Sequence, residues 1–169
     1  MNRGLYVVMG VAGSGKTRIG SAFARALGVP FVDGDDFHPP SNVAKMARGE
    51  PLSDDDRAGW LHALSRRIHD AEVEGTGVVV ACSALKRAYR DVLREGATRS
   101  PLRFIVLHGG QALIAERLAR RRGHFMPASL LESQFATLEI PTDDEHAWMI
   151  NVDAAPERII ADLVARAVQ

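Results

Sequence analysis

Cysteine is nearly absent. Cys82 stands alone in 169 residues, so the chain can form no internal disulfide, which fits a reducing compartment. An excess of either charge is missing too: Lys plus Arg number 21 and Asp plus Glu number 21. A nucleic-acid binder usually carries a basic excess, and this chain, with balanced charge, has none. No apolar run approaches the roughly 18 residues that a membrane-spanning helix needs. The first apolar run starts at Leu5, which leaves no room before it for a charged leader and a cleavage site. Repeats, low-complexity tracts and Pro/Gly-rich linkers are also lacking. These absences predict one cytoplasmic domain over residues 1–169, with neither nucleic acid nor membrane as a partner.

What is present begins with Gly10-Val11-Ala12-Gly13-Ser14-Gly15-Lys16-Thr17, a full match to G-x-x-x-x-G-K-[ST]. It follows the apolar run Leu5-Tyr6-Val7-Val8-Met9 and opens a helical pattern of Ile19, Ala22, Phe23, Ala26 and Leu27. The glycines let the backbone turn several N–H groups inward as an anion-binding nest. The helix adds the positive end of its dipole. Lys16 reaches phosphate as a point charge, and the Thr17 hydroxyl is placed to ligate Mg²⁺. A nucleoside triphosphate is the implied ligand.

Four further apolar runs read as strands: Pro30-Phe31-Val32, Val78 to Cys82, Phe104 to Leu107 and Trp148 to Val152. Most are continuous rather than alternating, as strands covered on both faces are. Helical patterns separate them, including Leu85, Ala88, Tyr89, Val92 and Leu93, and Trp60, Leu61, Leu64 and Ile68. The expectation is an α/β fold of the P-loop NTPase type, three layers α/β/α around a five-stranded parallel sheet. Two connections are long. One, from Asp33 to Gly77, holds an insertion over about residues 36–76, placed to bind an acceptor. The other contains a lid over about residues 117–128, placed to close on the nucleotide.

Asp33 and Asp35 follow the second strand, where alternation points them the same way. One carboxylate can hold Mg²⁺ through a water while the other accepts the proton of an attacking hydroxyl. Arg117, Arg120 and Arg121 share a helical face, and Arg121 and Arg117 are the expected lid arginines for the γ-phosphate. Arg120 and Arg122 are read as surface. His38 and His124 lack metal-ligand spacing, and Cys82 reads as a small core residue. A GTPase switch is the rival reading, from Asp56-Arg57-Ala58-Gly59 as D-x-x-G. No N-K-x-D accompanies it, and the match falls in a helical pattern rather than after a strand.

Together these segments resemble the small P-loop gluconokinases, relatives of shikimate kinase and the nucleoside monophosphate kinases. The distinctive stretches are Asp33-Gly34-Asp35-Asp36-Phe37-His38-Pro39, Cys82-Ser83-Ala84-Leu85-Lys86, and Arg121 with Gly123-His124-Phe125. Ser133-Gln134-Phe135 with Leu138-Glu139 extends the likeness toward the C-terminus. The resemblance implies ATP-dependent, Mg²⁺-dependent phosphorylation of D-gluconate to 6-phospho-D-gluconate by a homodimer. It implies that Gly10 to Thr17 hold ATP, that Thr17 and Asp33 serve the metal, and that Asp35 serves the acceptor hydroxyl. His38, Arg57, Ser83, Lys86 and His124 are carried over as gluconate contacts, and Arg117 and Arg121 as lid residues on ATP. Of the candidate cations, Arg57 leads as the carboxylate clamp with Lys86 second, because only arginine offers a planar bidentate fork. Another small-metabolite kinase, or a nucleotide-binding module without transfer, are the alternatives.

Overall fold

Every residue of β1 (Leu5–Met9) is buried, because this strand lies at the centre of the sheet with a parallel neighbour on each side. The structure is a computed structural model and describes residues 3–121 and 128–169. The other strands are β2 (Phe31–Asp33), β3 (Val78–Ala81), β4 (Leu102–His108) and β5 (Trp148–Asn151). They run in the order β2-β3-β1-β4-β5, all parallel, with Val7 opposite Val80 on one side and Phe104 on the other.

Alternate residues of each strand feed two separate cores, which is why the runs read as continuously apolar. On one face Val7, Met9, Val80, Phe104 and Val106 pack against Leu61, Leu64 and Ile68 of α3 (Asp54–Glu74) and Leu93 of α4 (Arg87–Arg94). On the other, Val8, Val79, Ile105 and Leu107 meet Ile19 and Phe23 of α1 (Lys16–Leu27) and Ile159 and Leu163 of α7 (Pro156–Ala167). Helices thus cover both faces of a five-stranded parallel sheet, the three-layer α/β/α architecture. A third cluster of Val11, Leu85, Leu118 and Leu131 lies beside the P-loop. It joins α5 (Gln111–Ala119) to α6 (Ala128–Thr137).

Several boundaries move from their expected places. Asp33 is the last residue of β2, not the first beyond it, and the chain then turns into a 3-10 helix, Gly34–Phe37. Strand alternation therefore does not relate Asp33 to Asp35; a turn does. Asp56 to Gly59 lie in the first turns of α3, a helix, where a switch aspartate would need a strand end. Helix α5 ends at Ala119 with Arg120 as its C-cap, so Arg121 has left the helix on which the shared face was read. Residues 122–127, with Arg122, Gly123, His124, Phe125 and Met126 of the expected lid, lie outside the described residues.

Candidate active site

The P-loop joins the buried end of β1 to α1, and its shape depends on glycine. Gly10 has φ 149°, and a Cβ there would stand 2.7 Å from both the Leu107 carbonyl and the Ser14 hydroxyl. Gly15 is the N-cap of α1 in the left-handed region and supplies no side-chain cap. The N–H groups of the first turn are thus left to an external acceptor, as a phosphate site requires. Lys16 turns its ammonium onto the Gly10 and Val11 carbonyls, each at 3.0 Å. Burial holds this lysine below its ordinary value, with Asp35 opposing.

Across the P-loop stand the two carboxylates. The Thr17 hydroxyl donates to Asp33 Oδ2 at 3.2 Å, and Asp33 Oδ1 accepts the Asp35 N–H at 3.0 Å. Gly34 between them passes so close to β3 that a Cβ would strike the Ala81 carbonyl. The buried Trp60 indole donates to the Gly34 carbonyl at 2.7 Å, which fixes the turn from below. On the same indole His38 stacks, ring centroids 4.1 Å apart and planes at 16°.

Asn42 settles the histidine tautomer. Its Nδ2 donates to the Asp56 carbonyl at 2.8 Å, so that atom is a nitrogen, and the same atom lies 3.2 Å from His38 Nδ1. Nδ1 must therefore accept, and the proton sits on Nε2. Burial also keeps His38 below the ordinary histidine value, against the pull of Asp35.

Arg57, on the second turn of α3, donates from Nη1 to the Tyr89 hydroxyl at 2.9 Å and lies 5.2 Å over its ring. Tyr89 in turn donates to Asp54, which also receives Lys86 Nζ at 3.1 Å. The loop after β3 comes close to the P-loop: the Ser83 carbonyl accepts the Gly10 N–H at 3.3 Å. Ala84 beside it has φ +46°, uncommon outside glycine. Arg90, fully buried, secures that conformation by donating to the Ala84 and Leu85 carbonyls at 2.9 and 3.2 Å.

One cleft of about 480 Å³ takes in Ala12, Gly13, Gly15, Lys16, Thr17, Asp33, Asp35, His38, Arg57, Trp60, Ser83 and Arg121. Of the residues singled out in the sequence, Gly10, Val11, Ser14, Lys86 and Arg117 are not in its wall: the three P-loop residues are buried behind it, Lys86 is paired with Asp54, and Arg117 is exposed on α5. His124 lies outside the described residues. Cys82 is buried beneath the cleft with its thiol pushed up to about 12 by burial, an inert core residue. Among the described residues no group of three or more His, Cys, Asp or Glu could hold a metal by itself. A hard cation here would draw its oxygens from Thr17, Asp33, phosphate and water, the donor set suited to Mg²⁺.

Sequence reasoning gave no role to four residues that the structure brings to this region. Trp60 and Tyr89 read as helix-face residues, Gln134 as one letter of a resemblance, and Asp54 carried no assignment. Gln134 accepts the Ala12 N–H at 2.6 Å from a position 122 residues along the chain. No local signal marks any of them, because each acts through a partner distant in sequence.

Comparison with known proteins agrees with this geometry. The family profile described as "AAA domain" matches residues 5–141. A gluconokinase of Gluconobacter oxydans (strain 621H) is 46% identical over 158 residues, covering 94% of this chain and 88% of that protein. The crystal structure of a gluconokinase from Sinorhizobium meliloti 1021 superposes with a TM-score of 0.89 at 46% identity, covering 99% of this chain and 93% of that one. Shikimate kinase from Aquifex aeolicus superposes at 0.60 with 15% identity over 95% of this chain and 94% of that one, a likeness of fold alone.

Proposed function

The chain belongs to the gluconokinase family of P-loop kinases, and on that footing we propose that it phosphorylates D-gluconate with ATP, giving 6-phospho-D-gluconate and ADP. The observation that carries the reading is a single cleft holding the P-loop, the Asp35 carboxylate and the Arg57 guanidinium. A linear sugar acid offers a carboxylate at one end and the reacting primary hydroxyl at the other, so it needs both a cation and a base. Shikimate as acceptor is not favoured.

In this reading the N–H groups of Gly13 to Thr17 and the Lys16 ammonium hold the phosphates. Asp35 orients the primary hydroxyl and takes its proton as the oxygen–phosphorus bond forms. The bond from the terminal phosphorus to the bridging oxygen breaks, and ADP leaves with that electron pair. Arg57 receives the gluconate carboxylate, and His38 offers its Nε2–H to a hydroxyl of the chain. Arg121 faces the cleft from beyond α5, where charge on the terminal phosphoryl group develops. Thr17 and Asp33 would hold Mg²⁺, which when bound offsets charge on the phosphate oxygens. We read residues 36–76 as the acceptor-binding part of a single kinase domain. We add that the enzyme works as a cytoplasmic homodimer; light scattering of the purified protein tests the dimer.

Steady-state ADP release measured with gluconate, glucose and shikimate tests the acceptor. Gluconate is expected to be fastest, and faster turnover of either competitor overturns the substrate assignment. Asp35→Asn keeps the shape and removes the proton acceptor, so turnover is expected to fall at least about a hundredfold while gluconate still binds. Unchanged turnover would remove Asp35 from the role of base.

A further inference from the structure

Gln134 carries an unclaimed pair of donors beside the phosphate loop. Its contact with the Ala12 N–H identifies the touching atom as the carboxamide oxygen, since a backbone N–H only donates. The NH₂ end has no hydrogen-bond partner among the described residues, and Gln134 lines the cleft with Gly13, Lys16, Thr17 and Arg121. Its helix is held in place at other points. Two residues past the end of α6, the Glu139 N–H donates to the Leu85 carbonyl at 2.7 Å, and Glu139 Oε1 accepts the Arg87 N–H at 2.9 Å. Leu131 of the same helix packs with Val11 and Leu118. The side chain is therefore pre-positioned by the packing and hydrogen bonds that hold its helix and by its own bond to the Ala12 N–H.

We propose that Gln134 is a further contact of the phosphoryl-transfer site, its oxygen holding the P-loop at Ala12 while its NH₂ donates to an oxygen of the terminal phosphoryl group. The proposal rests on reading the cleft as a nucleoside triphosphate site. The equatorial oxygens of the transferring group carry spread negative charge in the transition state. A donor already oriented by a backbone bond meets that charge without reorganisation.

Two variants separate this role from simple anchoring. Gln134→Glu keeps an oxygen for Ala12 and loses the donor; Gln134→Met loses both at similar length. The readouts are calorimetric affinities for ADP and for a nonhydrolysable ATP analogue, kcat with gluconate, and a thermal melt. Both variants are expected to lower the ratio of analogue to ADP affinity about tenfold, and Gln134→Glu to lower kcat by at least about tenfold. If Gln134→Glu keeps the wild-type ratio and kcat, Gln134 is an anchor only and the proposal fails. If Gln134→Met instead tightens both nucleotides, the side chain competes with phosphate, and the proposal fails equally. Should Gln134→Met not fold, Gln134→Glu decides alone. A wild-type protein inactive on gluconate would overturn the acceptor assignment, and the affinity ratio would still judge Gln134.

Discussion

At the scale of single residues, Arg57 shows how one side chain of the cleft is held in place by several others. One of its guanidinium nitrogens is held by the Tyr89 hydroxyl and its face by the Tyr89 ring, while Asp54 and Lys86 complete the network. Asp54 is held below its ordinary value first by the Tyr89 hydroxyl and then by Lys86, so it stays ionised and keeps the tyrosine in place. Lys86, the second candidate for the carboxylate, is thereby occupied. Arg57→Ala should raise the KM for gluconate at least about tenfold while leaving the KM for ATP within about twofold, since one charged hydrogen-bonded contact is lost. Arg57→Lys should restore little, because an ammonium lacks the fork. A full rescue by lysine in steady-state assays would show that charge alone suffices and would reopen the choice between Arg57 and Lys86.

Among the elements, α3 does most to shape the side of the cleft proposed to receive gluconate. It starts in a capping box: the Ser53 hydroxyl accepts the Asp56 N–H at 3.1 Å, and Asp56 Oδ2 accepts the Ser53 N–H at 2.8 Å. Asp54, Asp55 and Asp56 then place negative charge in the first turn, where the helix dipole favours it. The same Asp56 oxygen receives Lys45 of α2 (Pro40–Ala47) at 2.7 Å, which ties the two helices together. Ser53→Ala should cost about 1 kcal/mol of stability in urea denaturation. It should also weaken gluconate more than ATP, because Asp54 and Arg57 sit in the turns that fray. Equal effects on the two KM values would detach the cap from the acceptor site.

On the scale of the whole molecule, two buried carboxylates tie loops to helices, Glu72 of α3 to the loop before β4 and Glu145, ahead of β5, to α4. Burial would raise Glu72, but the N–H groups of Thr98, Arg99 and Ser100 at 2.9, 2.7 and 2.8 Å hold it at about 2. Burial likewise opposes the charge on Glu145, and Arg90 at 2.8 Å and Arg94 at 2.5 Å bring it to about 2. Both lie below the ordinary 4.5 in the folded state, so their stabilisation is complete above that value and is lost as pH falls toward 2. Urea midpoints should therefore drop between about pH 5 and 2. Glu145→Gln should be less stable at neutral pH and show a shallower acid dependence. An acid slope unchanged in that variant would exclude Glu145 as a contributor.

The sequence by itself determined what local chemistry can encode: the P-loop and the helix it opens, five strands to within two residues at either end, and the layering of helices against sheet. Strand and helix periods repeat within a few residues, and a turn needing glycine declares itself in place. Asp33 and Asp35 were likewise visible in the chain, although not the turn that relates them. The tertiary structure alone decided the strand order, the pairing that takes Lys86 out of the cleft wall, and the stacking of His38 on Trp60. It alone brought Gln134 onto Ala12 and Tyr89 onto Arg57. Those contacts join residues 22 to 122 positions apart. Their geometry depends on how β3 and β4 flank β1 and on where α3 and α6 pack above them. No short-range pattern contains that information, because the partners meet only after the sheet has assembled.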